Sequence, residues 1–205
     1  MQSTRIRMVA VVLLIAAAMS ACTTTKKTAE WRDDSYTGGK FDNILVIGVA
    51  QQNSVRRMFE SNVVSELKAK NVTAIPSFSI MASDEKISKE SVKAAIAGKK
   101  VDAVLVTHLV GVDEQEVYYP PTYTPTMGPG YGYYGYYSRV YDYVYEPGYY
   151  QKYKVVKIET NLYNVSTEKL VWSMQSETID PDIEEHLVRD NIKVFMEGLA
   201  RQGLI

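Results

Sequence analysis

Of the residues that most often carry chemistry in proteins, this chain has very few. It holds one cysteine, Cys22, and two histidines, His108 and His186, among 205 residues. A single cysteine excludes an intramolecular disulfide, so packing alone must stabilise the fold even in an oxidising compartment. Two histidines without ligand spacing leave little from which to build a zinc site or a Cys/His nucleophile, so no cofactor and no metal is expected. Charge of one sign is also missing, with 23 Lys and Arg against 24 Asp and Glu. Because the basic residues are scattered, nucleic acid drops out as a partner. Long apolar runs are absent but for Met8 to Met19 (MVAVVLLIAAAM). That run is shorter than the roughly 20 residues a membrane-spanning helix needs.

The run has a telling context. Arg5 and Arg7 precede it, and Ser20 and Ala21 follow it, the order of a secretory signal. Met19-Ser20-Ala21-Cys22 resembles the bacterial lipobox, with Met where Leu is usual. The resemblance implies that Cys22 is acylated with diacylglycerol and becomes the mature N-terminus. Several acyl chains make an anchor that holds, where one chain is marginal. Cleavage there leaves 184 residues and, with both arginines removed, 21 basic against 24 acidic side chains, a formal charge of −3. By resemblance to enterobacterial lipoprotein sorting, Thr23 in place of Asp after the cysteine implies the outer membrane, with the domain facing the periplasm. Residues 1–21 are thus read as a lipoprotein signal peptide. The polar stretch to Lys40 makes 22–40 a lipid-anchored tether, and 41–205 is one periplasmic domain.

Within that domain, Asn43 to Val49 (NILVIGV) reads as a strand buried on both faces. Val55, Phe59, Val63 and Leu67 recur every four residues and predict a helix from about Ser54, stopped at Asn71. Val72 to Pro76 suits an edge strand, because proline cannot donate to a ladder. Ser88 is placed to cap a second helix ended by Gly98, and a strand follows over Val101–Val112. Val156, Ile158, Thr160 and Leu162 alternate, as do Leu170, Trp172 and Met174 after the turn 164–169, which predicts a hairpin. Asp180-Pro181 is expected to open a last helix with Val188, Ile192, Phe195 and Leu199 as its buried stripe. The order β-α-β-α-β, then hairpin and helix, predicts an α/β domain with a mixed sheet packed by helices.

Composition breaks between Tyr118 and Tyr153. Fourteen of the sixteen tyrosines and five of the seven prolines fall there, which marks 118–153 as a long Tyr/Gly/Pro-rich insertion. Tyrosine offers a rigid amphipathic ring at low entropic cost and glycine lets the backbone adapt, a pairing that binding loops use. Tyr131, Tyr133, Tyr134, Tyr136, Tyr137, Tyr141 and Tyr143 are therefore the candidate partner-binding residues, for an envelope protein or a glycan. A solvated low-complexity loop is the competing reading. Gly130, Gly132 and Gly135 satisfy G-x-G-x-x-G, but Tyr, Pro and Gly flank them where a dinucleotide site needs a strand and a helix.

Other residues invite a chemical reading. Asp113, Glu114 and Glu116 follow the third strand, where an acid and base pair would need an enclosing cleft to split glycan. Arg56 and Arg57 near a helix start are either an anion contact or, more commonly, a solvent-facing pair.

Asp102 to Thr107 (DAVLVT), Leu162-Tyr163-Asn164, Glu168 to Ser173 (EKLVWS), Ser176-Glu177-Thr178 and Gln202 to Ile205 together resemble a family of bacterial lipoproteins with a periplasmic α/β domain. More remotely, the topology is similar to penicillin-binding-protein activator lipoproteins and to the curli-secretion lipoprotein. The resemblance implies a fold and no catalytic residues. The functional expectation is a lipid-anchored, non-enzymatic periplasmic interaction module with the tyrosine-rich loop as contact surface. The alternatives are an oligomerising subunit of an outer-membrane assembly and, last, a peptidoglycan hydrolase.

Overall fold

The computed structural model describes residues 25–81, 87–120, 148–181 and 183–205. Six strands form one mixed sheet in the order β1-β6-β5-β4-β2-β3. In chain order these are β1 (Thr25–Arg32), β2 (Asn43–Val49), α1 (Asn53–Ala69), β3 (Thr73–Pro76), a 3-10 turn (Ser77–Ser79), α2 (Lys89–Ile96), β4 (Ala103–Tyr119), β5 (Tyr149–Asn164), β6 (Leu170–Ile179) and α3 (Glu184–Arg201).

The parallel half is the β-α-β-α-β unit expected. β2 runs parallel to β3 on one side and to β4 on the other. Because right-handed crossovers run in opposite directions to β3 and back to β4, α1 and α2 fall on opposite faces. Asn71 (φ 64°) ends α1 and Gly98 (φ 72°) follows α2, each in the left-handed region that Asn and Gly enter at least cost. Ser88 caps α2, its hydroxyl accepting from the Ser91 backbone N–H while the Ser91 hydroxyl accepts from that of Ser88.

The antiparallel half is β4-β5-β6-β1. On the face shared by α1 and α3, Ile44 and Val46 of β2, Leu105 of β4, Leu162 of β5, and Trp172 and Met174 of β6 are almost wholly buried. Phe59, Val63 and Leu67 of α1 and Ile192, Phe195 and Leu199 of α3 close over them, with Leu204 and Ile205 completing the core. Burying a side chain of this size is worth roughly 1.5–3 kcal/mol, so this face carries most of the stability.

Three expectations change. Residues 25–32 belong to the sheet and not to a tether. The seven rungs of β1 pair with β6, and Tyr36 in the following loop stacks on Phe41 at 5.4 Å. An edge strand needs one hydrogen-bonded neighbour and can be polar on both faces, so its sequence lacks the apolar alternation that marks an inner strand. The tyrosine-rich insertion is shorter than 118–153, because β4 continues to Tyr119 and β5 begins at Tyr149. The last helix opens at Glu184, after Ile183, and not at Asp180-Pro181. β6 ends at Ile179, and Asp180, in the left-handed region (φ 48°) with its N–H held by the Lys154 carbonyl at 2.6 Å, makes the turn out of the strand and not the first turn of the helix.

Candidate functional site

Beyond the rung Asp113–Val155, which Ile179 of β6 still shares, β4 and β5 leave the sheet as a two-stranded ribbon paired to Tyr119–Tyr149. Among the described residues no helix packs on it, and residues 112–119 are all exposed. Tyr118 packs on Tyr150 with ring centroids 5.0 Å apart, and Tyr119 stacks on Tyr149 at 5.3 Å with planes 15° apart. Directly cross-strand pairs alternate sides along a ribbon, so one tyrosine pair lies on each face. A Cβ at Gly148 would meet the far end of the exposed Tyr118 ring, which would have to shift aside. The Tyr119 and Tyr153 hydroxyls meet at 2.7 Å, and this bond, with slight desolvation, pushes the Tyr153 phenol up to about 12.

The stem is balanced in charge. Lys157 meets Asp113 at 2.6 Å, and Lys152 bridges Glu116 at 3.0 Å and Glu114 at 3.8 Å. The three acids therefore sit on an open ribbon with lysine partners. Among the described residues no cleft encloses them as glycan hydrolysis would require.

Cys22 and the tyrosines Tyr131, Tyr133, Tyr134, Tyr136, Tyr137, Tyr141 and Tyr143 lie outside the described residues. So does the G-x-G-x-x-G string. His108 stands on β4 opposite Glu159, and His186 on α3. Hydrogen bonds from Gln175 and Asn161 hold the Glu159 carboxyl below its usual range, and the attraction of His108 adds to them. Among the described residues no three His, Cys, Asp or Glu side chains gather as a metal would require.

Two polar clusters escaped sequence reasoning. Arg56 is buried, not solvent-facing, and donates to Glu60 at 3.1 Å. The Glu60 carboxylate also accepts from the Gly48 and Phe78 N–H groups at 2.9 and 3.0 Å and from the Ser77 hydroxyl at 2.5 Å. Every donor is a piece of β2, α1 or the turn after β3, so the cluster clips these together. With its oxygens occupied and no exposed surface, Glu60 has no proton-transfer role open to it. The i, i+4 spacing of Arg56 and Glu60 was the available signal, but such pairs are mostly surface pairs. Arg57 instead stands over the Phe78 ring at 4.9 Å.

The second cluster centres on Glu30 of β1. It accepts from the Trp172 indole at 3.1 Å, Lys27 at 2.6 Å and Arg201 at 2.7 Å. Burial alone would raise its carboxyl, but these donors outweigh it and hold the pKa at about 2. Strand β1, β6 and α3 are thus joined at one carboxylate.

An open groove of about 610 Å³ lies between α1 and α3. Glu66, Lys70, Glu185 and Arg189 are among its lining residues, which include no histidine or cysteine. Among the described residues no helix is long and apolar enough to cross a membrane.

No family model matches the chain, and no curated protein matches it. Similar solved structures include the PelC dodecamer from Paraburkholderia phytofirmans, 12% identical, covering 88% of this chain and 97% of that one with a TM-score of 0.42. Lipoprotein GNA1162 from Neisseria meningitidis is 11% identical and covers 78% of this chain and 98% of its own, with a TM-score of 0.40. At these scores the likeness is too loose to carry function.

Proposed function

We propose that this chain is a lipid-anchored, non-enzymatic module of the cell envelope, held at the outer membrane through Cys22, that uses its β4–β5 ribbon to contact another envelope component. The observation that carries this reading is the ribbon itself. It extends past the last rung shared with β6 and β1, puts four tyrosines on its two faces, and buries none of them. Two-stranded ribbons are marginal in water, and exposed aromatics of this density serve contact better than stability. The leader that ends in Met19-Ser20-Ala21-Cys22 supports the anchoring. The lysine-paired acids and the sealed Glu60 support a non-enzymatic role.

Photoreactive residues placed at Tyr119 and Tyr150 in living cells test the reading, with Lys193 on the exposed side of α3 as control. A discrete adduct at the ribbon positions and none at Lys193 is expected. Equal labelling at all three positions would sink the ribbon as a contact surface. An adduct to a second copy of the chain would turn the reading toward an oligomerising subunit.

A further inference from the structure

Strand β1 fixes where an N-terminal anchor must lie. Thr25 pairs with Thr178, Thr178 with Val156, and Val156 with Val112, one row across the sheet. β1 is antiparallel to β6, so its first residue, Thr25, lies at the same end of the sheet as the ribbon. Three residue steps separate Cys22 from Thr25, a reach of at most about 11 Å. From Val112 to Tyr119 the ribbon runs seven further residues at about 3.4 Å each, roughly 24 Å. With Cys22 acylated, a domain tied this closely stays near its membrane, and the ribbon leaves the sheet from the anchored end.

The surface at that end is suited to a bilayer. Of the eleven exposed large hydrophobic residues among those described, eight are on β4 and β5 at or beyond Leu109, Tyr118, Tyr119, Tyr149 and Tyr150 among them. Along the stem Asp113, Glu114 and Glu116 face Lys152, Lys154 and Lys157, so no net charge repels an anionic leaflet. Tyrosine settles at the level of lipid headgroups, with its ring in the apolar region and its hydroxyl in water.

We infer that the tyrosine rungs 118–150 and 119–149 rest in the headgroup region of the bilayer that holds the lipid anchor, as a second contact that fixes the tilt of the domain. This rests on the Cys22 anchoring reading and names the envelope component that the described part of the ribbon touches. Acyl chains alone leave a domain free to swing about its attachment. A second contact some 20 Å away along the ribbon removes that freedom without any need for high affinity.

The test uses the full-length protein isolated from membranes and placed in phosphatidylethanolamine and phosphatidylglycerol vesicles containing dibrominated phosphatidylcholine, which quenches indole on contact. Trp31→Phe leaves the fully buried Trp172 as constant background. Into it go Tyr150→Trp or, at the far end of the sheet, Lys169→Trp. The indole at position 150 should lose most of its emission and that at 169 almost none. Mass spectrometry of the N-terminal peptide reads the anchor separately. Lipid on Cys22 with no quenching at position 150 overturns the bilayer contact and leaves the anchoring intact. An unlipidated Cys22 overturns the anchoring and this inference with it. An unquenched position 150 that cross-links to a second chain assigns the rungs to self-association and overturns the inference as well.

Discussion

The same two strands live under different rules at their two ends. From Ala103 to Thr107, β4 alternates buried and half-buried residues under α1 and α3, whereas from Val112 to Tyr119 every residue is exposed. The body is held by burial, at roughly 25 cal/mol for each Å² of apolar surface. The ribbon is held by cross-strand pairs worth about 0.2–1 kcal/mol each. Hydrogen-bonded β structure therefore does not report where the stability is. The ribbon persists because it continues strands already fixed by the body, which leaves its side chains free to be chosen for contact.

Substitutions in the two regions should separate accordingly. The largest effect is expected at Glu60→Ala, which leaves Arg56 buried without its carboxylate and should cost about 3–5 kcal/mol. Urea denaturation measures it, and a loss no larger than that of a surface variant would show the clip to be dispensable. Next comes Glu30→Gln, expected to cost about 1–2 kcal/mol at neutral pH once solvent screening on its open side is allowed for. Its folded pKa of about 2 lies below the ordinary 4.5, so the stabilisation is complete above about pH 4.5 and is lost as pH falls toward 2. The gap between native and variant melting temperatures should therefore close over that range, and a gap that persists at pH 2 would contradict the charge account.

A smaller effect belongs to the ribbon. Replacing Tyr118 and Tyr150 together by Ser should change stability by less than about 1 kcal/mol while reducing photo-cross-linking from Tyr119. A large loss of stability would mean that the ribbon is part of the core after all. Smallest of all, Lys157→Ala removes the Asp113 partner from an exposed site and should leave the thermal transition unmoved in calorimetry.

Much of the body was legible in the sequence because its signals are signals of burial. The unbroken apolar run of β2, the four-residue repeat of α1 and the alternation around Trp172 each report a face that water does not reach. What escaped was polar. Strand β1 presents TKKTAEWR, with no alternation to betray it, since its place depends on Glu30 finding Trp172 and Arg201, 142 and 171 residues away. Arg56 looked like a surface residue because its burial depends on Ser77, far along the chain. The ribbon was half seen. Its composition marked a contact surface, but that Tyr118 and Tyr149 still belong to strands rests on register, which composition does not encode.

The edge position of β1 has a mechanical meaning. If Cys22 is the anchor, any force carried by that anchor enters at Thr25 and passes into the fold through one neighbouring strand. A pull along the axis of β1 loads its seven rungs with β6 in shear, all together, and the Glu30 junction spreads the tension into α3 through Arg201. A pull across the sheet would peel the same rungs one after another, at far lower force. If the ribbon also rests on the membrane, the tilt it imposes would decide which of these two loads the strand has to bear.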